Sequence, residues 1–350
     1  MGTSTPIDVT INGQLVKTED LMGMTVDRDM GSPDMATIVL SNPSATYSTT
    51  AIATPIEIKV GDDKVSVYKG EVVGVEAIYK GMEKPRIVLR AMNKLHRLLR
   101  KRKSLTFTDK TDQQILSQVV SDGGLTLDWK HEKSITYKHV YQHNLSGLEF
   151  LRMRAARMGC HVWCVDTKVY VKQPELQGSP VAEYHCNDTG KDTAVRVFHP
   201  RISSTSVVNK VTVKGWNPET KELITGEATV SGSRLGSQTS VAGSGDLGNA
   251  ETFTVDHPIW SKEEAVALAK ARLTDLSLSY MTGECEVYGD PKVDLGKLIK
   301  VTANEKESNA SSDPFNGNYY VMGVTHRYTT QKKDGGYFTV IRFARDAQKQ

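Results

Sequence analysis

The sequence predicts an α+β, mainly β protein: two similar antiparallel β-domains, an α/β insertion between them, and an additional helix. Three observations lead there. Short β-branched runs separated by turn signals occupy residues 7 to 91 and return from Tyr184 onward. Helical spacing with capping residues is confined to residues 92 to 175 and to one later stretch. A hairpin-sized sequence pattern near the start recurs near the end. The order is not the regular βαβ alternation of a parallel sheet.

The runs Ile7–Ile11, Met35–Leu40, Ile56–Val60, Lys64–Tyr68, Gly70–Tyr79 and Arg86–Ala91 read as strands, divided by Asn12-Gly13, Gly61-Asp62-Asp63 and Lys80-Gly81. Residues 1–91 therefore form the first β-domain. The pattern changes at Met92–Lys103, and Thr108–Gly124 carries Ile115, Leu116, Val119 and Val120 at helical spacing, with Asp109 or Thr111 as cap and Gly123-Gly124 as stop. Ser146-x-x-Glu149 is a capping box for a second helix, in which Leu148, Leu151, Ala155 and Met158 share a face and Gly159 marks the end. Cys160–Val165 and Lys168–Lys172 complete residues 92–175 as a hairpin. In residues 176–350, Val195–Phe198, Ser206–Trp216 and Glu222–Val230 read as strands. The Gly/Ser-rich stretch 231–249 reads as a loop, and Ser261-x-x-Glu264 opens the helix 262–278.

The internal repeat joins Gly70–Tyr79 and Arg86–Ala91 to Gly317–Tyr328 and Thr339–Ala344. Both copies contain G-V-x-x-x-Y, as Gly74-Val75 to Tyr79 and Gly323-Val324 to Tyr328. The preceding strands correspond as Ile56-Glu-Ile-Lys-Val60 and Leu298-Ile-Lys-Val301, with a longer intervening loop in the second copy.

With 350 residues, 44 Lys+Arg and 41 Asp+Glu, the chain carries a net charge of +3, far from the excess of a dedicated nucleic-acid binder, so no specific nucleic-acid binding is expected. Met1–Gly13 lacks the pattern of a signal peptide and no apolar run reaches membrane-spanning length, which predicts no export leader and no membrane anchor. Four cysteines in so long a chain, Cys160, Cys164, Cys186 and Cys285, read as reduced thiols.

No enzyme assembles from the motifs. Cys160-His161-x-x-Cys164 invites a metal or redox reading, but only His185 and Cys186 follow as partners, and strand alternation makes the thiols small buried hydrophobes. His131, His139 and His143 fall on a polar connecting segment without ligand spacing. The carboxylates Asp62, Asp63, Asp109, Asp112, Glu284 and Glu286, weighed for glycoside cleavage, sit in turns, caps or alternating strands. No G-x-S-x-G elbow and no phosphate loop occurs. Catalytic, cofactor and metal residues are therefore expected to be none. The basic run Arg90, Lys94, Arg97, Arg100, Lys101, Arg102 and Lys103 reads as a solvated connector or a salt-bridge surface.

The stretch Phe107-Thr-Asp-Lys-Thr111-x₃-Ile115-Leu116, followed by Tyr141-x-His-Asn144-Leu-Ser146-x-Leu148-Glu149-Phe150-Leu151-Arg152 and Gly159-Cys160, resembles the phage late control protein D family. Gly283-x₅-Gly289-Asp290-Pro291-x₄-Gly296 and Tyr320-Val-x₂-Val324-x-His326 support it. These are hub proteins of contractile tails, similar to the N-terminal hub part of valine-glycine-repeat spike proteins. The resemblance implies that both β-domains are β-barrels and that three chains form a trimer presenting six quasi-equivalent barrels. It further implies a structural, non-enzymatic baseplate hub, assembled in a bacterial cytoplasm, that adapts a hexameric tail tube to a trimeric spike beside other baseplate proteins. Because the chain ends at Gln350 soon after the second β-domain, the spike is expected on a separate polypeptide. A tail-associated peptidoglycan hydrolase is the rival reading, and a carbohydrate-binding β-protein a third.

Overall fold

The computed structural model describes residues 5–131, 135–188, 193–217, 219–255, 259–304, 313–330 and 335–349. Most of the longer loop expected before Gly317, and the turn residues 331–334, lie outside the described residues.

Seven strands come first: β1 (Ile7–Ile11), β2 (Gln14–Leu15), β3 (Leu21–Asp29), β4 (Met35–Ser41), β5 (Pro55–Val60), β6 (Val65–Ile78) and β7 (Arg86–Met92). In β4 and β5 every second residue is buried, the period that places one strand face on a core. That core gathers Val26, Ile38, Leu40, Ile58, Val72 and Leu89.

The insertion follows, with β8 (Arg102–Thr111), α1 (Asp112–Ser121), β9 (Thr126–Lys130), β10 (Thr136–Ser146), α2 (Gly147–Arg157), β11 (His161–Val165) and β12 (Lys168–Lys172). Both helices begin with complete capping boxes, Thr111 with Gln114 and Ser146 with Glu149, each partner satisfying the other's backbone N–H. After α2 the chain turns at Gly159, whose φ of 63° is the left-handed conformation that glycine adopts without strain. The buried ion pair of Arg154 with Asp112 at 2.6 Å ties the two helices together. Two features differ from the sequence reading. The segment bearing His139 and His143 is not a connector but the strand β10, paired antiparallel with β8, and β12 pairs with β9 in parallel as well as with β11.

The remaining elements are β13 (Ala182–His185), β14 (Val195–Ile202), β15 (Lys210–Asn217), β16 (Glu222–Thr229), β17 (Gln238–Thr239), α3 (Ser240–Gly243), β18 (Glu251–Val255), α4 (Lys262–Leu278), β19 (Met281–Tyr288), β20 (Leu298–Thr302), β21 (Gly317–Thr329), β22 (Gly336–Arg345) and β23 (Ala347–Gln348). The strands β15, β16 and β18 do not join the large sheet; they form a separate three-stranded sheet covered by α4. The close approach needs glycine, since a Cβ on Gly226 would lie 2.3 Å from the Ala265 carbonyl carbon. The Gly/Ser-rich stretch 231–249 is not wholly irregular, because β17 pairs with β23 and α3 follows it. Arg345, fully buried, anchors it by donating to the carbonyls of Leu235, Asn316 and Lys349.

The large sheet has 13 strands, in the order β14-β19-β22-β21-β3-β4-β7-β6-β5-β1-β2, with β20 on β21 and β13 on β20. Within it one arrangement occurs twice. The strands β3, β4, β5, β6 and β7 lie in the order β3-β4-β7-β6-β5, and β14, β19, β20, β21 and β22 lie in the order β14-β19-β22-β21-β20. The second set has its own core of Tyr184, Cys285, Ile299, Tyr319, Val321, Val324 and Ile341.

Candidate functional site

The two sets match residue by residue. In β6–β7 a bulge separates the pairs Val72↔Ala91 and Gly74↔Arg90; in β21–β22 it separates Val321↔Phe343 and Gly323↔Arg342. A second bulge falls between Leu21↔Leu40 and Gly23↔Val39 in one set, and between Val195↔Val287 and Val197↔Glu286 in the other. Bulges re-aim a strand and increase its twist, so coincident bulges give both sets the same local bend. Gly74 therefore stands where Gly323 stands, and the motif tyrosines Tyr79 and Tyr328 correspond. The β5–β6 register matches Pro55-Ile56-Glu57-Ile58 to Leu298-Ile299-Lys300-Val301. The sequence correspondence of Ile56–Val60 with Leu298–Val301 thereby acquires a register, in which Ile56 stands where Ile299 stands.

The sets are joined by one seam, in which β3 pairs antiparallel with the C-terminal half of β21, from Gly323↔Asp29 to Thr329↔Gly23. Charged groups cross it. The Arg342 guanidinium lies 2.9 Å from the Asp29 carboxylate and donates to the Arg28 carbonyl and the Thr325 hydroxyl, while Thr325 donates to Asp27 at 2.6 Å. Gly323 makes room for this crossing, because a Cβ there would lie 2.5 Å from Arg342 Nε and from Asp29 Oδ1. Beside it Arg28 sits between Asp34 at 3.1 Å and Asp294 at 2.7 Å. Burial opposes the charge of Arg28, yet the two carboxylates hold its guanidinium above its ordinary value. Tyr328 packs against the first core across the seam.

Beyond the seam each of the two five-stranded sets leaves one strand edge open among the described residues. β14 ends the large sheet and pairs only with β19, and the Gly74–Ile78 half of β6 pairs only with β7. Apolar groups are exposed on or beside both: Val197 is 54% exposed and Tyr79 73%. Open edges are templates for another chain, and exposed apolar groups beside them favour a partner there.

The residues weighed for chemistry are dispersed. All four cysteines are free thiols. Burial pushes Cys160 and Cys164 up to about 12, which keeps them protonated and unreactive. Among the described residues no three His, Cys, Asp or Glu side chains gather as a metal site. Asp112 is buried against Arg154, Glu286 pairs with Arg196, and Asp62 and Asp63 occupy the turn between β5 and β6. The basic run is largely absorbed into ion pairs: Arg90 with Glu76, Lys94 with Asp166, Arg97 with Glu71, Arg102 with Glu149, and Lys103 with Asp122. Hydrogen bonds from Arg97 hold the Glu71 carboxyl below its usual range. A groove of about 810 Å³, lined by Trp129, Trp163, Tyr170, Lys172, Glu175 and Asp294, opens between the insertion and the second set. Its two carboxylates are occupied, Glu175 by Lys130 and Asp294 by Arg28, so neither is placed as a free acid or base. No helix among the described residues is long and apolar enough to cross a membrane.

Comparison with solved structures places the fold. The chain is similar to the 43 kDa tail protein of prophage MuSo2 from Shewanella oneidensis, with a TM-score of 0.72 at 14% identity over 98% of this chain and 99% of that one. It is similar to a tail protein from Neisseria meningitidis MC58, with a TM-score of 0.71 at 14% identity over 98% and 97%. The E. coli c3393 protein, a type VI secretion component with structural similarity to the T4 tail proteins gp27 and gp5, gives a TM-score of 0.63 at 12% identity over 98% and 79%. These neighbours agree with the tail-hub resemblance read from the sequence. No curated protein matches the sequence. The Alg8 N-terminal domain family matches residues 4–330, and the chain belongs to that family.

Proposed function

We propose that this chain is a structural hub subunit of a contractile tail or tail-like injection particle. In this reading each five-stranded set is one of two barrel-like units, and three chains close into a ring of six. The observation that carries it is the repeated strand order with both bulges in register, because two equivalent units per chain are what a trimer needs to present six similar surfaces. One face of the ring would meet a hexameric tail tube, and the threefold packing on the other would seat a separate trimeric spike beside further baseplate proteins. The work is mechanical rather than catalytic, with binding energy spread over sheet edges and extended surfaces. The three fold neighbours described above, two tail proteins and a type VI secretion component, support the same reading.

Native mass spectrometry of the full chain, alone and with tube and spike proteins, tests it. Three copies per particle and capture of both partners are expected. A monomer at micromolar concentration that binds neither partner, together with a cleared zone on a peptidoglycan gel, would turn the assignment to a hydrolase.

A further inference from the structure

The internal seam contains the instructions for an external one. Carrying β3 onto β14 and β21 onto β6 places each residue of the β3–β21 pairing at a numbered position on the two open edges. By the shared registers, Met24, Val26, Asp27 and Arg28 correspond to Phe198, Pro200, Arg201 and Ile202. Likewise Val324, Thr325, His326 and Tyr328 correspond to Val75, Glu76, Ala77 and Tyr79. We infer that a second copy of this chain lays its β14 antiparallel along the Gly74–Ile78 edge of β6, with Arg201 opposite Glu76, Phe198 opposite Tyr79 and Ile202 opposite Val75. The inference rests on the ring proposed above and specifies the contact that closes it.

Three features of the chain fit the transfer. The pair at the Asp27↔Thr325 position becomes Arg201 and Glu76, opposite charges that face each other directly across the strands. In the internal seam Arg342 donates to Thr325; at the matching place Arg90 lies 3.2 Å from Glu76, so the incoming Arg201 would set Glu76 between two guanidinium groups. Tyr328 packs on the first core, whereas Tyr79 is exposed; a neighbouring β14 would bring it Phe198, which packs on the second core. Pro200 stands at the Val26 position and takes one donor out of the strand, as edge strands often do, so the new seam carries at most about one ladder hydrogen bond fewer.

Disulfide trapping in the full chain tests the register. Glu76→Cys and Arg201→Cys together, in a Cys186→Ser background because Cys186 is only half-buried, bring two thiols to a cross-strand pair within bonding reach. Mild oxidation should yield covalent dimers and trimers joined between positions 76 and 201, while either single variant stays unlinked. As a second reading, Glu76→Arg should raise the dissociation constant of the assembly at least about tenfold, and adding Arg201→Glu should restore it. A trimer by native mass with no 76–201 link and no charge rescue would overturn this seam while leaving the ring intact. A chain that stays monomeric at every concentration would overturn both.

Discussion

His326 is fully buried in the seam strand β21, where its Nδ1 shares a hydrogen bond of 2.7 Å with the Tyr337 hydroxyl and its Nε2 meets no partner among the described residues. Burial lowers its pKa to about 3 from an ordinary 6.5. Between those values the unfolded chain binds the proton and the native chain does not, so this group makes stability rise with pH by about 1.4 kcal/mol per unit, complete above about 6.5. The fall in urea midpoint from pH 7 to pH 5 should therefore be shallower in His326→Gln than in the unaltered chain; equal slopes would remove His326 from the account. From the sequence His326 was legible only as the end of a tail-hub pattern, because nothing local tells a buried neutral histidine from a surface one. Arg345 was illegible for a related reason: its partners are backbone carbonyls, those of Leu235 and Asn316 distant in the chain and that of Lys349 nearby, and carbonyls leave no mark in residue type.

At the scale of elements, legibility followed how local the chemistry is. The helix Lys262–Leu278 and the Ser146–Glu149 cap were readable because capping and 3.6-residue spacing are decided within a few positions. Strands β8 and β10 were not, since both are largely exposed and β10 contains a bulge near Asn144 that breaks its alternation. The register between β5 and β20 is silent in the sequence for a similar reason: a shift of two keeps every side chain on its face, so apolar alternation does not detect it. The helix α4, whose partner the sequence left open, packs its Ala265, Leu268, Ala269 and Leu273 on Val211 and Val213 of the separate sheet. Glu264 at its start binds Arg157 of α2 at 3.0 Å, tying this sheet to the insertion. Leu268→Asp should cost about 3 kcal/mol by burying an unpaired carboxylate, and Gly226→Ala about 1–3 kcal/mol by forcing the helix from the sheet. Denaturation midpoints of the two variants check this, and an unchanged midpoint in Gly226→Ala would contradict the close contact.

For the whole molecule, the sequence repeat G-V-x-x-x-Y pointed to a duplication, and the sheet gives that duplication a geometry: the same strand order, two coincident bulges and one seam. The seam itself was beyond the reach of the sequence, because strand partners 298 residues apart, such as Asp27 and Thr325, show no pattern that links them. A repeated unit whose internal contact can recur between copies either closes or grows without limit, depending only on the rotation between units. The proposed hub closes after three chains. Rotational analysis of end-on electron microscopy averages of the purified assembly tests this most directly. It predicts closed rings with threefold symmetry and a strong sixfold component from the repeated strands; open filaments, or rings lacking the sixfold component, would contradict it.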